Sequence, residues 1–227
     1  MSVAALARVD TLLAWRRGVI GAAGVVALIY VILLRLVPAG VGSVLLPYLV
    51  FSDPAALGFF FVGGTVLADR SDGTAAAVSV APVRPAEVLS ARIGVLAGIG
   101  VLGAIAVAAG SGLAVEWVSF VPAVFLTALL YTSFGYAVAM RARSVNDYFA
   151  RATAWSIPLF APLAVFVVDA DWWGLVLWPT TASLVLLRGG AELKTVALAL
   201  GVLLIAVFVV GRWALFELEA GRREGRT

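Results

Sequence analysis

Six apolar runs, over residues 18–37, 44–68, 93–115, 120–139, 152–168 and 195–215, divide this chain. A helix of roughly 20 such residues crosses the hydrocarbon layer of a bilayer, and only helices or closed barrels satisfy their backbone polar groups there. With 63% of residues hydrophobic, 13% charged and a mean hydropathy of +1.08, a chain of 227 residues has more apolar surface than one soluble core can hide. The expected fold is all-α: a polytopic integral membrane protein of six transmembrane helices, forming one domain over residues 1–227. The first run follows Arg16 and Arg17, as a signal peptide would, but it is longer than a signal's apolar region and has no small-x-small site after it. It reads as a retained span.

A seventh apolar stretch, 172–187, is too short to cross and contains Pro179. It reads as a short re-entrant or interfacial segment between spans five and six. Charge placement supports that count. With six spans and both termini cytosolic, only Arg35, Arg188 and Lys194 of the 16 basic residues fall outside, whereas a seventh span exports the arginine-rich C-terminus. The expected location is therefore the inner (plasma) membrane. Ahead of the first span, in residues 1–17, Leu6, Val9 and Leu13 share a helical face among Arg8, Asp10 and Arg16. That pattern predicts an interfacial helix.

The chain has no cysteine and no histidine, which excludes disulfides, thiolate catalysis and the usual zinc, copper and haem sites. No catalytic or metal-binding residues are expected, and the basic residues lie between apolar segments rather than on a face that would hold nucleic acid. There is no G-x-x-x-x-G-K-S/T loop, and the single lysine, Lys194, falls on the outer side. The chain is expected to bind no nucleotide and no cofactor itself.

The longest polar interruption, 69–92, contains Asp69, Asp72, Gly73, Thr74, Pro82, Arg84, Pro85 and Arg92. Asp72 ahead of the small-residue run 74–81 predicts a short capped helix stopped by Pro82, and Pro85 predicts a turn into a second helix from Ala86. Such an elbow can transmit a push or simply connect two spans. Asp53 lies inside the second apolar run, and three roles are open to it: capping a helix broken at Ser52-Asp53-Pro54, contacting substrate, or carrying a proton. Trp178 is a second candidate for the substrate path. It also fits an aromatic belt with Trp117, Trp172 and Trp173. Arg35 is placed to snorkel, Gly94 and Gly98 to admit a neighbouring helix, and Ser144 and Asp147 to form a capping box. Glu116, Asp169 and Asp171 read as solvated loop charges.

Asp69, Gly73, Thr74, Pro82, Leu89 and Arg92 resemble the acid, Gly-Thr, Pro, Leu, basic series that follows the second span of ABC-2 type permeases. LLPYLVFSDPAALGFFFVGGTVLADR resembles the second span of the fluoroquinolone-exporter permease subgroup, and RARSVNDYFAR, PLFAPL and WPTTASLVLLRGGA resemble its later segments. The likeness runs from about Val9 to Ala191. Asp69 and Arg92 depart from the Glu and Lys common in the class, with charge kept. The resemblance implies the permease subunit of an ATP-binding-cassette exporter of amphipathic, drug-like molecules, with fluoroquinolones as the implied type. It further implies a separate ATPase that holds ATP and Mg and receives the 69–92 coupling loop, and a second permease copy or paralogue. On the residues alone, a proton-driven drug transporter using Asp53 is the alternative.

Overall fold

The computed structural model describes residues 3–56, 59, 61–73, 83–168 and 173–223. Among them the fold is helical: α1 (Val3–Arg16), α2 (Val19–Leu36), α3 (Ala39–Ala56), α4 (Val62–Ser71), α5 (Pro85–Ser111), α6 (Trp117–Arg141), α7 (Val145–Val168), α8 (Pro179–Arg188) and α9 (Leu193–Arg223), with a 3-10 turn at Trp173–Leu177 before α8. Four of these helices, α2, α5, α6 and α9, are long and apolar enough to cross a membrane. They match the first, third, fourth and sixth expected spans.

Burial sorts these helices into hub and rim. In α6, 72% of the most apolar window is buried, against 11% in α9. Exposed Leu204, Ile205, Phe208 and Val209 on α9, and Leu28, Ile29 and Ile32 on α2, leave wide apolar faces that water would not tolerate but hydrocarbon does. Around α6 the core is aromatic. Tyr131 stacks on Phe160 of α7 with ring centroids 5.6 Å apart, and Phe134 meets Trp155 and Trp213 edge-on at 5.7 and 5.4 Å.

The second expected span, 44–68, corresponds to α3 and α4. α3 runs unbroken through Asp53 and Pro54 to Ala56, so the break at Ser52-Asp53-Pro54 that a capping role for Asp53 entails is not there. A proline inside a membrane helix removes one hydrogen bond, which neighbouring groups can compensate. Between Ala56 and Val62 the described residues Phe59 and Phe61 keep a wider, π-helical winding, and the Tyr148 hydroxyl donates to the carbonyl of buried Phe59. The fifth expected span corresponds to α7, which begins seven residues earlier, at Val145.

The stretch expected as re-entrant or interfacial forms the 3-10 turn and α8. Residues 180–184, Leu186 and Leu187 are buried among the other helices, and the start of the stretch, Trp172, lies outside the described residues. Its hydroxyls are used internally. Thr181 donates to the Trp178 carbonyl at 2.9 Å, and Ser183 meets Thr127 of α6 at 2.5 Å.

Helix ends follow local chemistry. Pro85 opens α5 at the position where its missing N–H costs nothing, and the Glu87 carboxylate accepts the Arg84 amide at 3.1 Å. At α7, Ser144 Oγ accepts the Asp147 amide at 3.2 Å and Asp147 Oδ2 accepts the Arg143 amide at 2.9 Å, the cap expected from the sequence. The Arg143 amide and then the Arg151 guanidinium hold the Asp147 carboxyl below its ordinary range. Ser144→Ala is expected to lower stability by about 1 kcal/mol, read as a drop in the melting midpoint of the detergent-purified protein; Ser144→Asp should keep it.

Candidate functional site

The ends of the polar interruption meet in a charged junction at the α1 end of the bundle. Asp69 lies in the last turn of α4, where Val62, Gly63 and Val66 face the core and the helical period turns its carboxylate inward with them. Its side chain is 3% exposed. Oδ1 accepts Arg17 Nη2 at 2.9 Å, and Oδ2 stands 2.5 Å from Arg92 Nη1, an ion-pair contact without hydrogen-bond alignment. Arg92, on α5 and 13% exposed, also reaches Asp10 of α1 at 3.4 Å, while Arg17 reaches Asp72 at 3.2 Å. Five side chains from α1, the α1–α2 joint, α4 and α5 thus form one network.

Electrostatics give the network its character. Away from water a charge pair attracts far more strongly than at the surface, but removing both ions from water offsets most of that gain. The net effect is to fix where α1, α4 and α5 sit relative to one another. Burial pushes the Asp10 carboxyl above its ordinary range, opposed by Arg92 beside it. Asp72, 58% exposed, is the one member open to solvent.

Arg70, next to Asp69, points the other way. Its guanidinium donates to the Met140 and Ala142 carbonyls at 3.0 and 2.7 Å, satisfying groups at the end of α6 that the helix itself leaves free. A second ion pair, Arg141 to Glu217 at 2.6 Å, joins α6 to α9, and Trp213 Nε1 donates to the same carboxylate at 2.9 Å. Gly73 follows with φ of 71°, a left-handed conformation that a Cβ disfavours.

The structure therefore pairs Asp69 directly with Arg92 and links it to Asp72 through Arg17, and gives Arg84 and Pro85 the start of α5. Thr74, Pro82 and the helix expected over 74–81 lie outside the described residues, as do Asp169 and Asp171. So does the Asp53 side chain; its backbone is in the last turn of α3. Trp178 donates from Nε1 to the Leu159 carbonyl of α7 at 3.0 Å, beside Thr180, which donates to the same oxygen at 3.1 Å. Arg35, expected to snorkel, donates to the Gly110 carbonyl at the end of α5 at 2.8 Å. Glu116, expected as a solvated charge, is exposed and accepts the Gly190 amide at 2.9 Å. Sequence reasoning missed Asp10 and Arg17 as partners of the loop. The available signal was an acid on an otherwise basic interfacial helix and two arginines ahead of a span.

Long apolar helices with exposed apolar faces define a polytopic helical membrane protein. The chain belongs to the fluoroquinolones export permease protein family, whose family model matches residues 1–218. Among its relatives are the fluoroquinolones export permease proteins of two Mycobacterium tuberculosis strains, CDC 1551 and H37Rv. Each is 34% identical over 197 residues, covering 85% of this chain and 81% of the relative. The resemblance read from the loop and the second span is thereby confirmed as membership of a family of transport proteins.

Proposed function

We propose that this chain is the transmembrane subunit of an ATP-binding-cassette exporter that moves amphipathic small molecules, fluoroquinolones among them, out of the cell. In this reading it lies in the inner membrane with six crossings and both termini cytosolic, the α8 segment entering without crossing. A separate ATPase binds ATP and Mg and docks on the 69–92 loop, and a second permease copy or paralogue completes the path. The observation that carries the reading is the charged junction. Asp69 and Arg92, at the two stems of the loop, hold each other and the interfacial helix, so a push on the loop reaches α1, α4 and α5 together. The names of the mycobacterial relatives support the direction and the drug.

Copurification tests it. The tagged permease is expected to retain an ATPase subunit from its native membrane, and fluoroquinolone export should stop when ATP is depleted. Export that persists without ATP and collapses with an uncoupler would instead identify a gradient-driven transporter.

A further inference from the structure

Beside the charged junction lies a cavity of about 370 Å³, lined by Arg17, Val19, Phe61, Gly64, Thr65 and Phe149. Its volume falls within the range of small-molecule sites. It sits where the α1–α2 joint, the start of α4 and the start of α7 come together, one to two turns from the loop. Three observations say what suits it. Phe61 and Phe149 are both exposed, offering aromatic faces at the cavity. Gly64 leaves the wall open, since a Cβ there meets nothing within 4 Å. Finally, Arg17 spends only Nη2 on Asp69 and Asp72; among the described residues Nε and Nη1 donate no hydrogen bond. A guanidinium with unused N–H groups beside apolar and aromatic walls suits a planar carboxylate.

We propose that this cavity is a loading site for an aromatic amphiphile bearing a carboxylate, taken up from the leaflet on the loop side, with the carboxylate on Arg17 and the rings between the phenyl groups. The inference rests on the export reading, and adds where the substrate first binds. Occupancy touches the junction directly, because the guanidinium that receives the carboxylate is the one that holds Asp69. Substrate and loop would then be linked through one side chain.

Binding of the fluoroquinolone ciprofloxacin to the permease in phosphatidylcholine nanodiscs, followed by its own fluorescence, tests the site. Gly64→Leu fills the cavity where there is room for a side chain and is expected to weaken binding at least about tenfold with the melting midpoint unchanged. Phe149→Ala should weaken it as well. The ciprofloxacin methyl ester, which lacks the carboxylate but keeps the piperazine amine, should bind poorly to the wild type and be indifferent to Arg17→Gln. Equal binding by Gly64→Leu and Phe149→Ala in a permease that still exports the drug overturns the site and leaves the export reading standing. Displacement of the drug by phosphatidylglycerol, lost in Gly64→Leu, would show a lipid site instead. A wild type that neither binds nor exports ciprofloxacin overturns both readings.

Discussion

Removing the Asp69 carboxylate is expected to cost about 3–5 kcal/mol, the range for breaking a buried ion pair by deleting one partner. Two guanidiniums lean on it, and Arg92 at 13% exposure has little water to turn to. Asp69→Ala should therefore melt well below the wild type and lose drug export. The comparison that isolates the interaction is a double-mutant cycle with Arg92→Ala. The second substitution removes the stranded charge, so the double variant should be less damaged than the sum of the singles by more than about 1 kcal/mol. Strict additivity would show that the two stems of the loop are independent. Asp69→Glu offers a separate reading of function: it keeps the charge but lengthens the arm, and should preserve folding while lowering export.

At Gly63 the expected result is set by sterics. A methyl built there overlaps Cδ1, Cε1 and Cζ of Tyr148, a fully buried ring whose hydroxyl is already engaged by the Phe59 carbonyl. Because Tyr148 is held at both its ring and its hydroxyl, it cannot step aside cheaply. Gly63→Ala should cost about 1–3 kcal/mol, as overpacking of a tight interior does, and Gly63→Val more. The next residue supplies the internal control. Gly64 differs by one position, lies on the open side of the same helix, and should accept alanine without loss. Thermal unfolding of the three variants in one detergent checks the contrast, and an unaffected Gly63→Val would mean that α4 and α7 do not touch here. In a Tyr148→Ala background, itself destabilised by the lost ring, Gly63→Ala should cost nothing further, because the ring the methyl meets is gone.

Much of the membrane architecture was legible because it depends on composition over windows of 20 residues. α2 and α6 have bounds within three residues of the expected runs, while α5 begins eight residues before its run and α9 ends eight residues after its own, because polar ends extend a helix beyond its apolar window. The course of the second span past Pro54 was not legible. Pro54 was the visible breaker, yet α3 passes through it to Ala56, and the π-helical winding at Phe59 carries a carbonyl taken by a tyrosine 89 residues away. Caps behaved like the long runs, because Ser144 and Asp147 act within one turn. In the junction, Asp69 and Arg92 stood out as the charged ends of a polar loop, but their partners Asp10 and Arg17 did not. Pairing across 82 and 52 residues leaves no local periodicity to read.

Those separations also set an order of events during synthesis. α1 is made first, but Asp10 meets its guanidinium only after α5 has begun, and Arg17 waits until the end of α4. Until then the leading helix has one secure connection, the Gly18 joint with φ of 75°, whose lack of a side chain lets α1 swing against α2. It completes its ion pairs only when the last arginine arrives. The junction is thus a latch closed by the growing chain itself, and it can close only on a nascent protein whose first two apolar segments leave Asp10, Asp69 and Arg92 on the same side.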